Sequence, residues 1–209
     1  MSEYETDDEK VEAIKKWWKE NGMSVVGGVA IGLAVVFGWR TWTDYRNGIG
    51  AEASVAFEQL LISAAAGEAQ STAKQAELLG QNYGSTPYPA LGSLIAARVL
   101  YESSDAAGAM SALQRVIARA PDPAMARLAA LRLARIQLAE GQLDAAAATV
   151  AAHDQSAAFA GDFAAVRGDI AAARGDTAGA RAAYEKAITA GTGLPQLIRL
   201  KLDNLPAAG

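Results

Sequence analysis

Nineteen consecutive residues without a formal charge, at positions 21–39, constrain this chain more than any other feature of its sequence. At about 1.5 Å rise per residue they form a helix roughly 28 Å long, which matches the hydrocarbon thickness of a bilayer. All four tryptophans of the chain stand at the edges of this stretch: Trp17, Trp18, Trp39 and Trp42. Indole rings favour the headgroup zone of a membrane, and a buried core helix has no reason to collect them at its ends. The stretch is therefore predicted to span a membrane.

The span is interpreted as a permanent anchor, because it fits a cleaved secretory signal poorly. A signal has a short basic leader and an apolar core of roughly 7–15 residues. Here the leader is twenty residues long and begins acidic, and the nearest A-x-A sequence, Ala51–Ala53, lies well beyond the apolar end. Four lysines precede the span and two arginines soon follow it, a bias that predicts a cytoplasmic N-terminus. We expect a cytoplasmic amphipathic tail at residues 1–20, a transmembrane helix at 21–42 and a domain outside the cytoplasm at 43–209.

The tail carries its own signal for the start of a helix. Thr6 and Glu9 match the two ends of a capping box, so a helix is expected to begin at Asp7. One face of that helix is apolar: Val11, Ile14 and Trp18. This pattern suits a helix that lies on the inner membrane surface until Asn21–Gly22 redirects the chain. A solvated extension of the spanning helix is the equal alternative.

Composition limits how the part of the chain beyond the anchor can be stabilised and what it can bind. The chain has no cysteine, so a domain outside the cytoplasm gains nothing from disulfides and must be held together by packing. From Ala51 onward there are thirteen Lys and Arg against fifteen Asp and Glu. Such a balanced surface argues against binding to nucleic acid.

Beyond the anchor the chain is predicted to be helical throughout. It is rich in Ala, Leu, Gln, Glu and Arg, which are good helix formers, and no convincing strand pattern is present. Glycine and proline divide it into short helices. The expected breaks are Gly80 and Gly84 before Ser85–Pro89, then Pro121–Pro123, Gly141, Gly161–Asp162, Gly175–Asp176 and Gly191–Gly193. Residues 51–66 and 71–83 are expected to form a first, divergent helical hairpin.

The spacing of the turns predicts a repeat architecture. Gly141–Gln142 recurs as Gly175–Asp176 with an offset of thirty-four residues, the period of tetratricopeptide repeats. The last unit has small and aromatic residues where that repeat needs them: Gly168, Gly175, Ala180, Tyr184 and Ala187. The two earlier units are degenerate copies: Ala134, Gly141, Ala146, Val150 and His153 in one, and Ala97, Asp105, Ala109 and Leu113 in the other. The expected fold is all-α: one N-terminal transmembrane helix followed by a tetratricopeptide-repeat-like α-solenoid.

A stack of such units needs terminal caps, because each unit buries its apolar face only against a neighbour. The last predicted helix carries one apolar stripe: Leu194, Leu197, Ile198, Leu202 and Leu205. Its charged residues lie off that stripe: Arg199, Lys201 and Asp203. This is the pattern expected of a C-terminal capping helix.

Several segments together resemble the YfgM family, the ancillary subunits of the bacterial SecYEG translocon. They are the tail DDEKVEAIKKWWKENG, the glycine-rich span ending GWRTW, the following AEASVAFEQLL and the terminal LKLDNL. The resemblance covers nearly the whole chain. It implies a single-pass inner-membrane protein whose periplasmic repeat domain contacts the translocon and a membrane-anchored chaperone of the prolyl-isomerase type. It also implies help for unfolded exported proteins as they emerge.

Enzyme chemistry has little support in the sequence, and neither a cofactor nor a metal site is expected. There is no Cys nucleophile, and the lone His153 falls in a repeat helix, where packing or exposure is the ordinary role. Gly–Asp pairs at 161–162, 168–169 and 175–176 recur every seven residues, but a helical unit spreads such carboxylates along the chain instead of around one calcium ion. Turn and capping chemistry explains two of the three pairs.

Two surfaces are predicted to bind partners. The resemblance to tetratricopeptide repeats implies a groove lined by one side of each first helix: Leu94, Arg98, Tyr101, Leu131, Arg135, Leu138 and Asp169. Within the span, small residues at intervals of four permit close contact with another helix in lipid: Ser24, Gly28 and Gly32. The groove favours an interaction module that holds chaperone partners or unfolded clients. A structural scaffold subunit that packs against one fixed partner is the alternative.

Overall fold

The computed structural model describes residues 7–154 and 157–206 of the chain. Within these ranges the structure contains nine α-helices, one short 3-10 turn at Ala157–Phe159 and no strand, which confirms the predicted all-α class. The helices are α1 Asp7–Ala65, α2 Ala69–Asn82, α3 Tyr88–Glu102, α4 Ala106–Arg119, α5 Pro123–Ala139, α6 Leu143–His153, α7 Ala160–Ala173, α8 Thr177–Thr189 and α9 Pro195–Asp203. The chain divides into two compact units, Met1–Ala51 and Glu52–Gly209.

The first unit is formed by the N-terminal part of α1. Among the described residues, α1 is the helix whose length and composition suffice to cross a membrane. Most of its large apolar side chains are at least half exposed in this stretch, as at Val29, Ile31 and Phe37. A core helix of a globular domain would bury such side chains against protein. Their exposure favours a helix that lipid covers.

The predicted change of direction at Asn21–Gly22 is wrong, because α1 continues through both residues. The Asn21 side-chain amide donates to the Trp17 carbonyl one turn earlier, at 3.1 Å. The Trp18 indole lies 3.2 Å from the position that a Cβ on Gly22 would take. Both contacts lie along the helix axis and so support a continuous helix. Thr6, the first residue of the predicted capping box, lies outside the described residues.

The second unit begins with the predicted hairpin, formed by the end of α1 and by α2. Gly80 lies inside α2 and does not end it, in contrast to the predicted break. Three further hairpins follow: α3 with α4, α5 with α6, and α7 with α8. Four hydrophobic clusters join each hairpin to the first helix of the next one, and the last of them joins α7 and α8 to α9. This is the stacked arrangement predicted for tetratricopeptide repeats.

One backbone conformation ends the first helix of every hairpin. The second residue after each of these helices has a φ between 67° and 77°: Gly67, Ser104, Gly141 and Gly175. The next backbone N–H then donates to the carbonyl five residues earlier in the chain, as from Asp105 to the Leu100 carbonyl at 2.8 Å. These turns are spaced by 37, 37 and 34 residues. The sequence prediction placed the second turn at Asp105, which instead caps α4 through a bond from the Gly108 N–H.

Each turn fixes the register of the helix that follows it. Five residues after the left-handed residue lies a small, fully buried side chain: Thr72, Ala109, Ala146 and Ala180. Nine residues after it lies a second buried side chain: Ala76, Leu113, Val150 and Tyr184. Small side chains at the first position let the two helices of a hairpin approach closely. The divergent first hairpin therefore follows the same rule as the last one.

Candidate partner-binding face

A cavity of about 300 Å³ lies between α3 and α5 and brings together four of the predicted groove residues. These are Leu94, Arg98, Tyr101 and Arg135. Leu94 forms part of the buried floor, whereas Tyr101 remains 39% exposed. The other residues that line the cavity were missed by the prediction of the groove: Ala97, Glu102, Leu113, Arg132 and Ile136. Glu102 lies four residues after Arg98 and Arg132 lies three residues before Arg135, and this helical spacing could have identified both.

The mouth of this first cavity carries an excess of positive charge. Arg98 donates from Nε to Glu102 at 2.8 Å, and both side chains are exposed. That hydrogen bond raises the pKa of Arg98, so the guanidinium stays charged under all physiological conditions. Arg132 and Arg135 pair with no carboxylate among the residues that the structure describes. The cavity thus presents three arginines against one glutamate above an apolar floor.

A second cavity, of about 270 Å³, lies beside the first and is lined by α5, α7 and α9. It contains the predicted groove residues Arg135, Leu138 and Asp169. Arg135 lines both cavities and is the one residue that they share. We call the surface formed by the residues of these two cavities the inner face.

Helix α9 contributes to the inner face as well as closing the stack. Ile198 is buried, and Leu202 and Leu205 pack partly buried against the last cluster, as predicted for a cap. Leu194 and Leu197 depart from the predicted buried stripe, because they are 54% and 43% exposed and line the second cavity.

Asp169 is held by two neighbours on different helices. Its Oδ1 accepts hydrogen bonds from the Tyr184 hydroxyl and from Lys201 Nζ, both at 2.7 Å. Burial, together with the bond to Asp169, raises the pKa of Tyr184 above its ordinary value. The network ties α7 to α8 and α9. Asp169 therefore shapes the second cavity while its charge is matched by Lys201.

Leu131 lies away from both cavities, although the prediction grouped it with Arg135 and Leu138. It is only 3% exposed and packs in the cluster that contains Val150 and Phe163. A side chain buried in this way contributes to folding stability and offers no surface to a partner. His153 ends α6 and is half-buried.

The three Gly–Asp pairs have separate structural roles. Asp176 caps α8 by accepting from the Gly179 N–H at 2.8 Å. Asp162 accepts from the Thr192 hydroxyl at 3.0 Å and thereby holds the loop before α9. Asp169 accepts hydrogen bonds from Tyr184 and Lys201. Since each carboxylate has its own partners, the heptad spacing of the pairs reflects local structure.

The small-residue stripe of the span lies on α1 in the first unit. Ser24 is exposed, and a Cβ added at Gly28 or Gly32 would meet no described atom within 4 Å apart from the backbone of α1 itself. The described residues thus leave this stripe uncovered.

Tandem helical hairpins with a positive-φ turn and a small-residue register define a tetratricopeptide-like repeat protein. Comparison with known protein families supports the same class of protein. A family model described as "Tetratricopeptide repeat-like domain" matches residues 15–207. No solved structure matches the chain.

Known proteins similar to this chain share one name, "Ancillary SecYEG translocon subunit". The one from Escherichia coli (strain K12) is 30% identical over 150 residues, 72% of each chain. The one from Haemophilus influenzae is 30% identical over 144 residues, 69% of this chain and 70% of the relative. The one from Aggregatibacter actinomycetemcomitans is 32% identical over 140 residues, 67% of this chain and 68% of the relative. This chain therefore belongs to the tetratricopeptide repeat-like domain family and to the ancillary SecYEG translocon subunits.

Proposed function

We propose that this protein is a single-pass protein of the bacterial inner membrane that associates with the SecYEG translocon. In this proposal residues 1–20 are the cytoplasmic tail, residues 21–42 span the membrane and residues 43–209 form a periplasmic interaction module. The names of the relatives support the association, and the lysine bias before the span supports the orientation. The module binds a membrane-anchored chaperone of the prolyl-isomerase type or unfolded segments of exported proteins.

The single observation that carries binding is the pair of adjacent cavities joined at Arg135. An extended polypeptide presents apolar side chains and unpaired carbonyl groups along its length. Leu94, Leu138 and Leu197 supply apolar contact, which tolerates many sequences. Arg132 and Arg135 supply donors for carbonyl or acidic groups, with a geometry that favours two parallel hydrogen bonds. The inner face therefore suits a segment that is at once apolar and neutral or acidic.

Photo-crosslinking in intact membranes tests the inner face directly. A photoreactive amino acid at Tyr101 or Leu194 should capture a partner or client, because both side chains are exposed and line the cavities. The matched control is Leu78, which is also exposed, at 43%, and lines neither cavity. Equal capture from all three positions would contradict the proposal.

Charge reversal separates binding from folding. Arg98→Glu with Arg135→Glu keeps the apolar floor, so the protein should fold while crosslinking from Tyr101 falls. Retained capture by a folded double variant would move the binding surface elsewhere.

The identity of what is captured decides between the two classes of function. Many unrelated exported proteins in the crosslinked fraction support a client-binding module. One folded partner alone supports the structural scaffold.

The orientation is tested separately by an alkaline phosphatase fusion at Gly209, which should be active. An inactive fusion, together with an active cytoplasmic reporter at the same site, would overturn the topology.

A further inference from the structure

A third cavity, of about 350 Å³, lies between α2, α3 and α4 and shares no residue with the inner face. Its walls are formed mainly by α2 and α4, the second helices of the first two hairpins. Two arginines line it, Arg115 and Arg119, together with one acidic residue, Glu77. The side chains therefore give the cavity a net charge of plus one.

Arg115 presents an unsatisfied donor edge. Its Nε is buried and has no hydrogen-bond partner among the described residues. Its Nη1 donates to the Ser111 hydroxyl at 3.2 Å. In a guanidinium group, Nε and Nη2 form one edge that matches the two oxygens of a carboxylate. Because Nη1 is used by Ser111, this second edge is the one left for a ligand. A buried donor without a partner is costly, so a ligand that accepts from it gains affinity.

Gly80 keeps space open beside the arginines. It lies inside α2, where glycine is a poor helix former. A Cβ at this position would meet no heavy atom within 4 Å, so packing in the described structure does not require glycine here. Gly80 lines the same cavity as Arg115. The glycine thus preserves an empty volume at the cost of helix stability.

We infer that this cavity binds a carboxylate group. Arg115 and Arg119 both line the cavity, and the carboxylate oxygens accept from Arg115 once its side chain turns the buried Nε toward them. Glu77 lowers the total charge and so favours a monoanionic carboxylate over a phosphate dianion. The carboxylate comes either from an acidic side chain of a polypeptide or from a small organic acid. The inference does not rest on the proposed function, since the inner face is a separate surface.

Calorimetric titration of the full-length protein in detergent micelles tests the inference. One probe is butyrate, a small monoanionic carboxylate, and the other is a blocked ten-residue peptide with two glutamates. A peptide with glutamine at both positions and chloride at matched ionic strength are the reference ligands. We expect at least one carboxylate probe to bind while both reference ligands fail to bind. Tighter binding of the peptide identifies a polypeptide as the source, and equal or tighter binding of butyrate identifies a small acid.

Two variants remove the site in different ways. Arg115→Gln should weaken binding by about tenfold or more, the effect of losing hydrogen bonds to a charged group. Gly80→Leu should abolish binding by filling the cavity while both arginines remain, and its urea midpoint should not fall. Arg199→Gln is the matched control, because it removes one positive charge from an exposed site on α9. Absence of binding by both carboxylate probes, or binding that survives either cavity variant in folded protein, would overturn the inference.

Discussion

The ring of Tyr184 packs directly on the backbone of Gly168, so closely that a Cβ at position 168 would overlap the ring atoms. The two residues lie on α7 and α8, the two helices of the last hairpin. The ring is 3% exposed, and its hydroxyl reaches Asp169, the neighbour of Gly168. One contact thus sets both the distance between the helices and the position of a carboxylate in the second cavity.

We predict that Gly168→Ala destabilises the protein. The added methyl group forces the Tyr184 ring or the helices apart, and overpacking of this kind costs about 1–3 kcal/mol. This exceeds the gain of about 1 kcal/mol that alanine brings to a helix. Gly80→Ala is the control, because its Cβ meets no neighbour and it should stabilise by up to about 1 kcal/mol. Urea unfolding of the full chain measures both, and a midpoint of Gly168→Ala at or above wild type would contradict the packing argument.

The bond from Tyr184 to Asp169 predicts a loss of stability at alkaline pH. Burial raises the folded-state pKa of Tyr184 above the unfolded value of about 10, so its contribution is complete below pH 10 and falls as the pH rises further. The decline is at most about 1.4 kcal/mol per pH unit for one proton. Asp169 on α7 is the charged group that accepts from the Tyr184 hydroxyl, and Lys201 on α9 donates to Asp169 in turn.

Tyr184→Phe isolates this contribution. At pH 7 the variant should lose about 0.5–1.5 kcal/mol with the hydrogen bond. Above pH 10 the wild-type stability should fall toward that of the variant, because phenylalanine has no proton to lose. Urea midpoints at pH 7, 9 and 11 measure the difference. A gap between the two proteins that stays constant over this range would exclude the titration of Tyr184 as its cause.

The repeat register could be predicted only where glycine marks the turn. Gly141 and Gly175 carry the positive φ that the turn requires, and their spacing was readable. The preceding turn uses Ser104, at φ 67°, and serine gives no such signal. The prediction therefore took Asp105, a typical capping residue, as the turn itself. The spacing of 37 residues between the earlier turns also differs from the spacing of 34 at the last one.

We predict that replacing Ser104 by glycine stabilises the protein. A non-glycine residue in the left-handed region is strained by about 1–2 kcal/mol, and glycine relieves that strain. Glycine also gives the unfolded chain more freedom, so we expect a net gain of about 0.5–1 kcal/mol for Ser104→Gly. Gly141→Ala makes the reverse change at the equivalent turn and should destabilise by a similar amount. If the two variants shift the thermal midpoint in the same direction, backbone strain at the turn does not determine their stability.

Helix α9 predicts unequal effects of two apolar substitutions. Ile198 is 3% exposed in the last cluster, whereas Leu200 is 58% exposed. Ile198→Ala should lower the free energy of unfolding by about 2–4 kcal/mol, and Leu200→Ala should change it by less than about 0.5 kcal/mol. Deleting residues 194–209 should expose the cluster and promote aggregation. An unaltered melting curve after the deletion would show that the cap is dispensable.

The inner face was predicted in part because helical spacing tells which residues share one side of a helix. Arg98 and Tyr101 of α3 follow Leu94 by four and seven residues and line one cavity with it. The same spacing gave a wrong prediction for Leu131, four residues before Arg135, because residues of α6 and α7 bury its side chain. Sequence periodicity cannot reveal how far a neighbouring hairpin extends over a face. The contribution of α9 was missed for the same reason.

The transmembrane stripe predicts a contact made within the membrane. Gly28→Leu with Gly32→Leu should weaken co-purification of the membrane partners, because bulky side chains keep helices apart where small ones permit close packing. The repeat domain should stay folded, because among the described residues only the backbone of α1 itself lies within 4 Å of either added Cβ. Ala30→Leu with Ala34→Leu is the control, since it adds two leucines about 200° around the helix. Equal co-purification of the stripe variant, the control and the wild type would mean that the repeat domain makes the complex alone.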